Sequence, residues 1–327
     1  MTIEKGQTAT LAATTRTPAG RANARPARRR AGWGKRLELV LLLGPALIMF
    51  VGFVLAPIVA AVYYGFFKWT GFSPREPYGF GNYRRALHDT VFVHAIGHNL
   101  IIAVLSVIIQ LPLSIGLALL LNRRIRGRRF LRLVVFAPYV LSEAITAVVW
   151  SLMLQPDGLV DHVFRGVGLG GLIHQWLANT HIVLYTLFVV ITWKYIGFGI
   201  ILLLAGLQNI PRELHEAAAI DGASAWHTTR RIVLPLLGPT IRIWIFLSVI
   251  GSLQLFDLVW IMTLGGPADA SNTMANYLLE HGFTSYQFGY GSAVAVILFV
   301  ICFAFALIYQ RFALRRDTEG ALTRIVG

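Results

Sequence analysis

Six stretches of the sequence are apolar for long enough to cross a lipid bilayer. They run roughly over residues 39–67, 92–121, 131–154, 181–207, 237–262 and 290–312. About 20 apolar residues in helical form span the hydrocarbon core, because a helix satisfies every backbone N–H and C=O internally. The rest of the chain cannot offset so much apolar surface. Hydrophobic residues make up 56% of it and charged residues 13%, with mean hydropathy +0.64. A soluble domain carries about 25% charged residues. Both a soluble enzyme and a disordered chain are therefore excluded. The expected fold is all-α, a polytopic membrane protein of six transmembrane helices.

The charges set the expected orientation. Lys and Arg number 22 in the N-terminal tail, the second-to-third loop, the fourth-to-fifth loop and the C-terminal tail, against five in the alternate loops. Basic residues concentrate on the cytoplasmic side. Both termini are thus expected in the cytoplasm of a multi-pass protein in the cell membrane. The net charge of +14 reads as a topology signal, not as a nucleic-acid footprint. Residues 1–37 read as a disordered basic tail, whose Arg28, Arg29 and Arg30 suit contact with anionic membrane lipid. Residues 38–312 read as the membrane domain and 313–327 as a second cytoplasmic tail. No apolar core of a secretory signal precedes the first span. The single cysteine, Cys302, sits in an apolar run and rules out a disulfide framework. Trp69, Trp150, Trp176 and Trp260 fall near span ends on the expected outer side, as interface residues do.

The fourth-to-fifth loop differs from the others. Pro211 suits the start of a helix, Arg212 to Asp221 are good helix formers, and Gly222 is placed to end that helix in a left-handed conformation. Ser224 is a plausible N-cap for a second short helix reaching Ile232, and Pro235 opens the next span. The reading is a helix-turn-helix knob projecting into the cytoplasm. Its small residues, Ala217, Ala218, Ala219, Ala223 and Ala225, allow close approach by another protein.

Glu216-Ala217-Ala218, three residues, Gly222, nine residues, Ile232, one residue and Leu234-Pro235 resemble the EAA loop of ABC importer permeases. Around it stand Gly206-Leu207-Gln208-Asn209-Ile210-Pro211, Gly265-Gly266-Pro267, Gly81-Asn82-Tyr83 and Asn122-Arg123-Arg124. Together they resemble the carbohydrate-uptake permeases of the maltose/lactose/multiple-sugar type over about residues 38–312. Leu264 stands where relatives often carry one more glycine.

The resemblance implies a coupling helix seated in a cytosolic ATPase. Glu216, Ala217, Ala218 and Gly222 would lie at the docking surface, with Asp221 and Arg230 as flanking charges. It further implies two ATPase subunits, an extracytoplasmic sugar-binding protein and a second homologous permease, so that the complex is a permease heterodimer. The sequence has no G-x-x-x-x-G-K-[ST] loop. ATP and magnesium are accordingly expected in the partner ATPase, and this chain is expected to be a transport subunit with no catalytic residues, no metal and no cofactor of its own.

Polar residues inside spans are costly and often functional. Glu143 in the third span and Lys194 in the fourth fall at similar depth, and an ion pair between them is expected. The path for a sugar is expected from the spans that flank the EAA loop. By resemblance it draws on Trp193, Lys194, Tyr195 and Phe198 of the fourth span and on Ser248, Ser252, Gln254 and Asp257 of the fifth, and Glu143 of the third joins them as an intramembrane polar residue; helix packing is the alternative for each. With Lys194 the sole cation available there, a neutral mono- or oligosaccharide is favoured over an anionic one. Asp157, Asp161, His162, His174 and His181 in the outer loops match no metal-ligand spacing and read as solvated loop. An ion-coupled secondary carrier would show inverted repeats, and a membrane-embedded transferase would show a polar catalytic cluster. Neither pattern is evident, and either reading leaves the EAA loop unexplained.

Overall fold

The computed structural model describes residues 33–123 and 126–314. The Arg28–Arg30 cluster and the C-terminal tail beyond residue 314 lie outside them, as does the N-terminal tail up to residue 32. A helix already begins at Trp33, ahead of the expected end of that tail.

Four helices are long and apolar enough to cross a membrane: Val40–Tyr64, Thr90–Asn122, Val183–Gln208 and Phe288–Ala313. Two bent pairs bring the number to six if each pair is one span. Arg128–Val140 and Glu143–Met153 meet at 100°, and Ala225–Leu236 and Gly238–Leu253 meet at 64°. The polytopic all-α fold expected from the apolar runs is therefore present. Among the described residues the strands form one two-residue antiparallel ladder, Phe67–Lys68 with Glu76–Pro77. The chain divides into two units, Met1–Leu55 and Ala56–Gly327. The first unit contributes the helix Trp33–Phe50, whose Val40, Leu42 and Ile48 are exposed, as is Phe53 just beyond it, as a lipid-facing segment requires.

Within the second unit the fourth span is the central element. More of it is buried than of any other intact span, with 56% of its most apolar window inside the structure. Its glycines explain how neighbours come so close. A Cβ on Gly197 would stand 2.5 Å from the Val135 carbonyl oxygen, so the third span packs backbone to backbone there. The Trp244 indole of the fifth span covers Gly199, and Thr240 and Leu237 cover Gly206. Small residues at such contacts are the usual basis of helix association in lipid. Leu187, Val190, Leu203 and Leu207 of the same helix supply the apolar core around these contacts.

Two of the expected spans are not continuous. The run over 131–154 breaks at Leu141 and Ser142, both in extended backbone. Ser142 then caps the following helix, its hydroxyl accepting from the Ile145 amide at 3.2 Å. Such capping gives the chain an alternative to continuing the helix. The run over 237–262 ends as a helix at Leu253 and restarts at Asp257. Its freed carbonyls are taken by buried side chains. Asn99 Nδ2 donates to Ser252 at 2.7 Å, and Thr273 Oγ1 donates to Leu255 at 2.9 Å. Hydropathy averaged over a span does not register these breaks, although Ser142 and Glu143 flank one and Gln254 and Asp257 the other.

Candidate functional site

The two breaks face one another across a cavity of about 330 Å³. Its walls come from the second, third, fourth and fifth spans. Of the nine residues expected on a solute path, seven line it: Glu143, Tyr195, Phe198, Ser248, Ser252, Gln254 and Asp257. The sequence reading had passed over Ser106, Gln110, Tyr139, Trp244 and Gly251, which line it too. Gln110 carried a usable signal, being a polar residue in an apolar run. Ser106 and Gln110 bound a wide turn in which the Leu111 amide reaches back to the Ser106 carbonyl. Such single-turn expansions of a helix occur frequently at functional sites.

The chemistry of the wall is specific. Tyr139 stacks on Phe198 with ring centroids 5.2 Å apart at 28°, giving an aromatic platform. Serine hydroxyls, the Gln110 and Gln254 amides and the Tyr195 hydroxyl surround it. Two carboxylates, Glu143 and Asp257, line the cavity, and no Lys or Arg does. The Tyr195 hydroxyl donates to Glu143 Oε1. Asp257 begins the short helix Asp257–Thr263 and is exposed to the cavity side.

Two expected path residues lie elsewhere. Trp193 sits on the opposite face of the fourth span, edge-on to Trp150 at 5.4 Å. Lys194 is buried at 3% exposure, and its Nζ donates to the Leu141 carbonyl at 2.6 Å. The expected Glu143–Lys194 ion pair is corrected by this geometry. The break in the third span leaves the Leu141 carbonyl outside the helical ladder at the electronegative end of a half-helix, and the ammonium goes there. Glu143, in the first turn of the next half-helix, takes the Tyr195 hydroxyl instead.

A second cavity, about 610 Å³, is almost wholly apolar and is lined by Trp150, Phe164, Trp176 and Tyr185 among others. It holds none of the expected path residues. Nearby, Asp161 is buried and accepts from Trp176 Nε1 at 2.8 Å and from the Asp157 amide at 3.0 Å. Asp157 pairs with Arg165 at 2.5 Å, and that guanidinium holds its carboxyl below the usual carboxylate range. His162 lies on the Gly158 carbonyl, and His174 stands edge-on to Trp176. These polar groups brace the loop between the third and fourth spans, and among the described residues no three His, Cys, Asp or Glu side chains are grouped for a metal.

The fourth-to-fifth loop has the geometry its sequence requires. A helix Arg212–Ile220 follows Pro211. Gly222 adopts φ +72°, the Gly222 amide donates to Ala219 at 3.1 Å, and the Ala223 amide donates to Ala218 at 2.9 Å. That pair of bonds is the Schellman ending of a helix, which needs a left-handed residue at the glycine position. Ser224 Oγ accepts from the His227 amide and opens the second helix, Ala225–Thr228. Ala218 is buried inside the knob, whereas Glu216, Ala217, Asp221, Gly222 and Arg230 are exposed. So are Ile220 at 86% and Trp226 at 69%, apolar side chains presented off a loop outside the apolar spans.

A family model described as binding-protein-dependent transport system inner membrane component matches residues 110–318, taking in all of the cavity wall but Ile102 and Ser106, and the whole loop. This chain belongs to that family. The permease is 32% identical to the diacetylchitobiose uptake system permease protein NgcF of Streptomyces coelicolor, over 93% of this chain and 89% of that one. It is 33% identical to the sulfoquinovosyl glycerol transport system permease protein SmoG of Agrobacterium fabrum, over 87% and 92%. It is 31% identical to the trehalose/maltose transport system permease protein MalF of Thermococcus litoralis, over 85% and 94%. A bacterial alginate ABC transporter, solved in complex with an alginate pentasaccharide-bound periplasmic protein, shares the permease fold with TM-score 0.76, at 23% identity over 88% of this chain and 98% of that one. The expected family is thereby established, and with it a multi-pass protein of the inner membrane.

Proposed function

We propose that the chain is one permease of an ATP-driven, binding-protein-dependent importer, and that its cavity is half of the path for a neutral saccharide. The carrying observation is the cavity wall. A stacked aromatic pair offers a face to a sugar ring, while carboxylate, amide and hydroxyl groups converge to bond its hydroxyls. Two carboxylates and no cation disfavour an anionic sugar. Relatives named for diacetylchitobiose and for trehalose/maltose support the class.

Coupling runs through the exposed knob over 212–236. Glu216, Ala217, Gly222 and the protruding Ile220 and Trp226 form a surface for a separate cytosolic ATPase, with Asp221 and Arg230 at its edge. ATP and magnesium belong to that subunit. Two ATPases, a second, similar permease and an extracytoplasmic binding protein complete the complex, with both termini of this chain in the cytoplasm. Reconstitution of the whole complex in proteoliposomes tests the reading. Uptake of a neutral disaccharide that requires ATP and competes poorly with a uronic-acid disaccharide is the expected result. Uptake indifferent to ATP contradicts it.

A further inference from the structure

The 100° break in the third span is held by two adjacent residues of the fourth. Lys194 donates to the Leu141 carbonyl at the end of Arg128–Val140. Tyr195 donates to the Glu143 carboxylate in the first turn of Glu143–Met153. One turn further along the same helix, Gly197 lies against the Val135 backbone. The two half-helices are therefore fastened to the fourth span at three successive points, one before, one at and one after the break. An isolated half-helix end in an apolar setting leaves carbonyls without partners, which is costly. An ammonium at that end answers both the hydrogen-bonding need and the negative partial charge.

We propose that Lys194 and Tyr195 form a clamp, with Lys194 a positioning residue that never touches solute. The clamp holds Tyr139 and Glu143, which flank the break, at their places in the cavity wall. It also makes the break move with the fourth span. That helix continues unbroken from the clamp to Gln208, a distance of about 20 Å at 1.5 Å per residue. The coupling helix starts at Arg212, immediately beyond. A displacement of the knob is thus carried by one rigid helix to the two wall residues at the break. The solute-facing half of this proposal rests on the cavity being the path, whereas the position of the break does not.

The test is amide hydrogen exchange on the assembled complex in nanodiscs, comparing wild type with Lys194→Met and Tyr195→Phe. The clamp predicts that amides 141–146 exchange about tenfold faster in Lys194→Met, in line with the loss of a hydrogen bond to a charged group, while the sixth span is unchanged. Tyr195→Phe is expected to release amides 143–146 alone. Lys194→Arg, which keeps the charge, should recover part of the protection. In uptake assays Lys194→Met is expected to raise the half-saturating solute concentration more than it lowers the maximal rate. Unchanged exchange over 141–146 in an assembled Lys194→Met complex overturns the clamp, as does a rise spread equally over the sixth span. Should Lys194→Met not assemble, Tyr195→Phe decides by the same criterion. Absence of ATP-driven saccharide uptake by the wild-type complex removes the proposed function and leaves the exchange result standing.

Discussion

Asn99 donates its amide to the Ser252 carbonyl across 2.7 Å, tying the second span to the end of the fifth-span helix. The same side chain accepts from the Met274 amide at 3.0 Å, and it is fully buried. Replacing it by leucine strands the buried Met274 amide and removes a side-chain bond to the Ser252 carbonyl, which keeps its backbone donors. An unsatisfied buried group costs about 1–3 kcal/mol. Asn99→Leu is therefore expected to lower the melting temperature of the purified complex clearly, and an unchanged melting curve would show that the break after Leu253 is supported by other groups.

The glycines of the fourth and fifth spans should respond in opposite ways. Gly197→Ala drives a methyl into the Val135 backbone, where no side chain is free to give way. Overpacking of this kind costs about 1–3 kcal/mol. At Gly251, which lines the cavity, a Cβ meets nothing within 4 Å. Gly251→Ala should keep or raise thermal stability, since alanine is the better helix former by about 1 kcal/mol. Melting of the two variants side by side checks the contrast.

Filling the cavity should stop transport without harming assembly. Gly251→Leu places a branched side chain in a space of about 330 Å³. Saccharide uptake is expected to fall at least about tenfold, while copurification with the ATPase and thermal stability stay at wild-type levels. Full uptake by that variant would place the path elsewhere.

Asp257 is the cavity carboxylate that does not share Glu143's bond to Tyr195. Asp257→Lys brings a cation to a wall that has none. The variant is expected to lose uptake of a neutral disaccharide and to tolerate a uronic-acid disaccharide better than wild type does. Competition between the two sugars in proteoliposomes measures the change, and an unaltered ratio would separate Asp257 from solute recognition.

At the coupling loop, Gly222→Ala forces an L side chain into φ +72°, at a cost of about 1–2 kcal/mol per residue. Glu216→Ala removes an exposed carboxylate and nothing from the core. Both variants should release the ATPase during purification, Glu216→Ala with its own melting temperature unchanged. Retention of ATPase by both would move the docking surface off this knob.

Hydropathy and spacing located much of this molecule in advance. Four of the six apolar runs are intact helices long enough to span and the other two are bent pairs, and Pro211, Gly222 and Ser224 took up the helix-turn-helix their side chains favour, because capping is local chemistry. Seven of the nine residues expected on a path line the cavity, six of them from the spans beside the EAA loop and Glu143 from the third span. What stayed hidden depends on partners distant in sequence. The breaks at Leu141 and Gln254 exist because Lys194 and Asn99 receive the freed carbonyls, and neither neighbour marks them. At the same break the Lys194 ammonium donates to the Leu141 carbonyl, while Glu143 accepts from Tyr195. Nothing in the sequence sets Tyr139 and Trp244 apart from other span aromatics; the fold stacks Tyr139 on Phe198 and places both in the cavity wall.

The central claim is that this permease is driven by a separate ATPase docked on the knob over 212–236. The most direct measurement is purification of the C-terminally tagged chain from native membranes in mild detergent, followed by identification of its companions and uptake after reconstitution. A second six-span permease and two ATPase subunits per complex, with saccharide uptake that stops when ATP is withheld, is the predicted result. The tagged chain alone, transporting after ATP depletion, would contradict it.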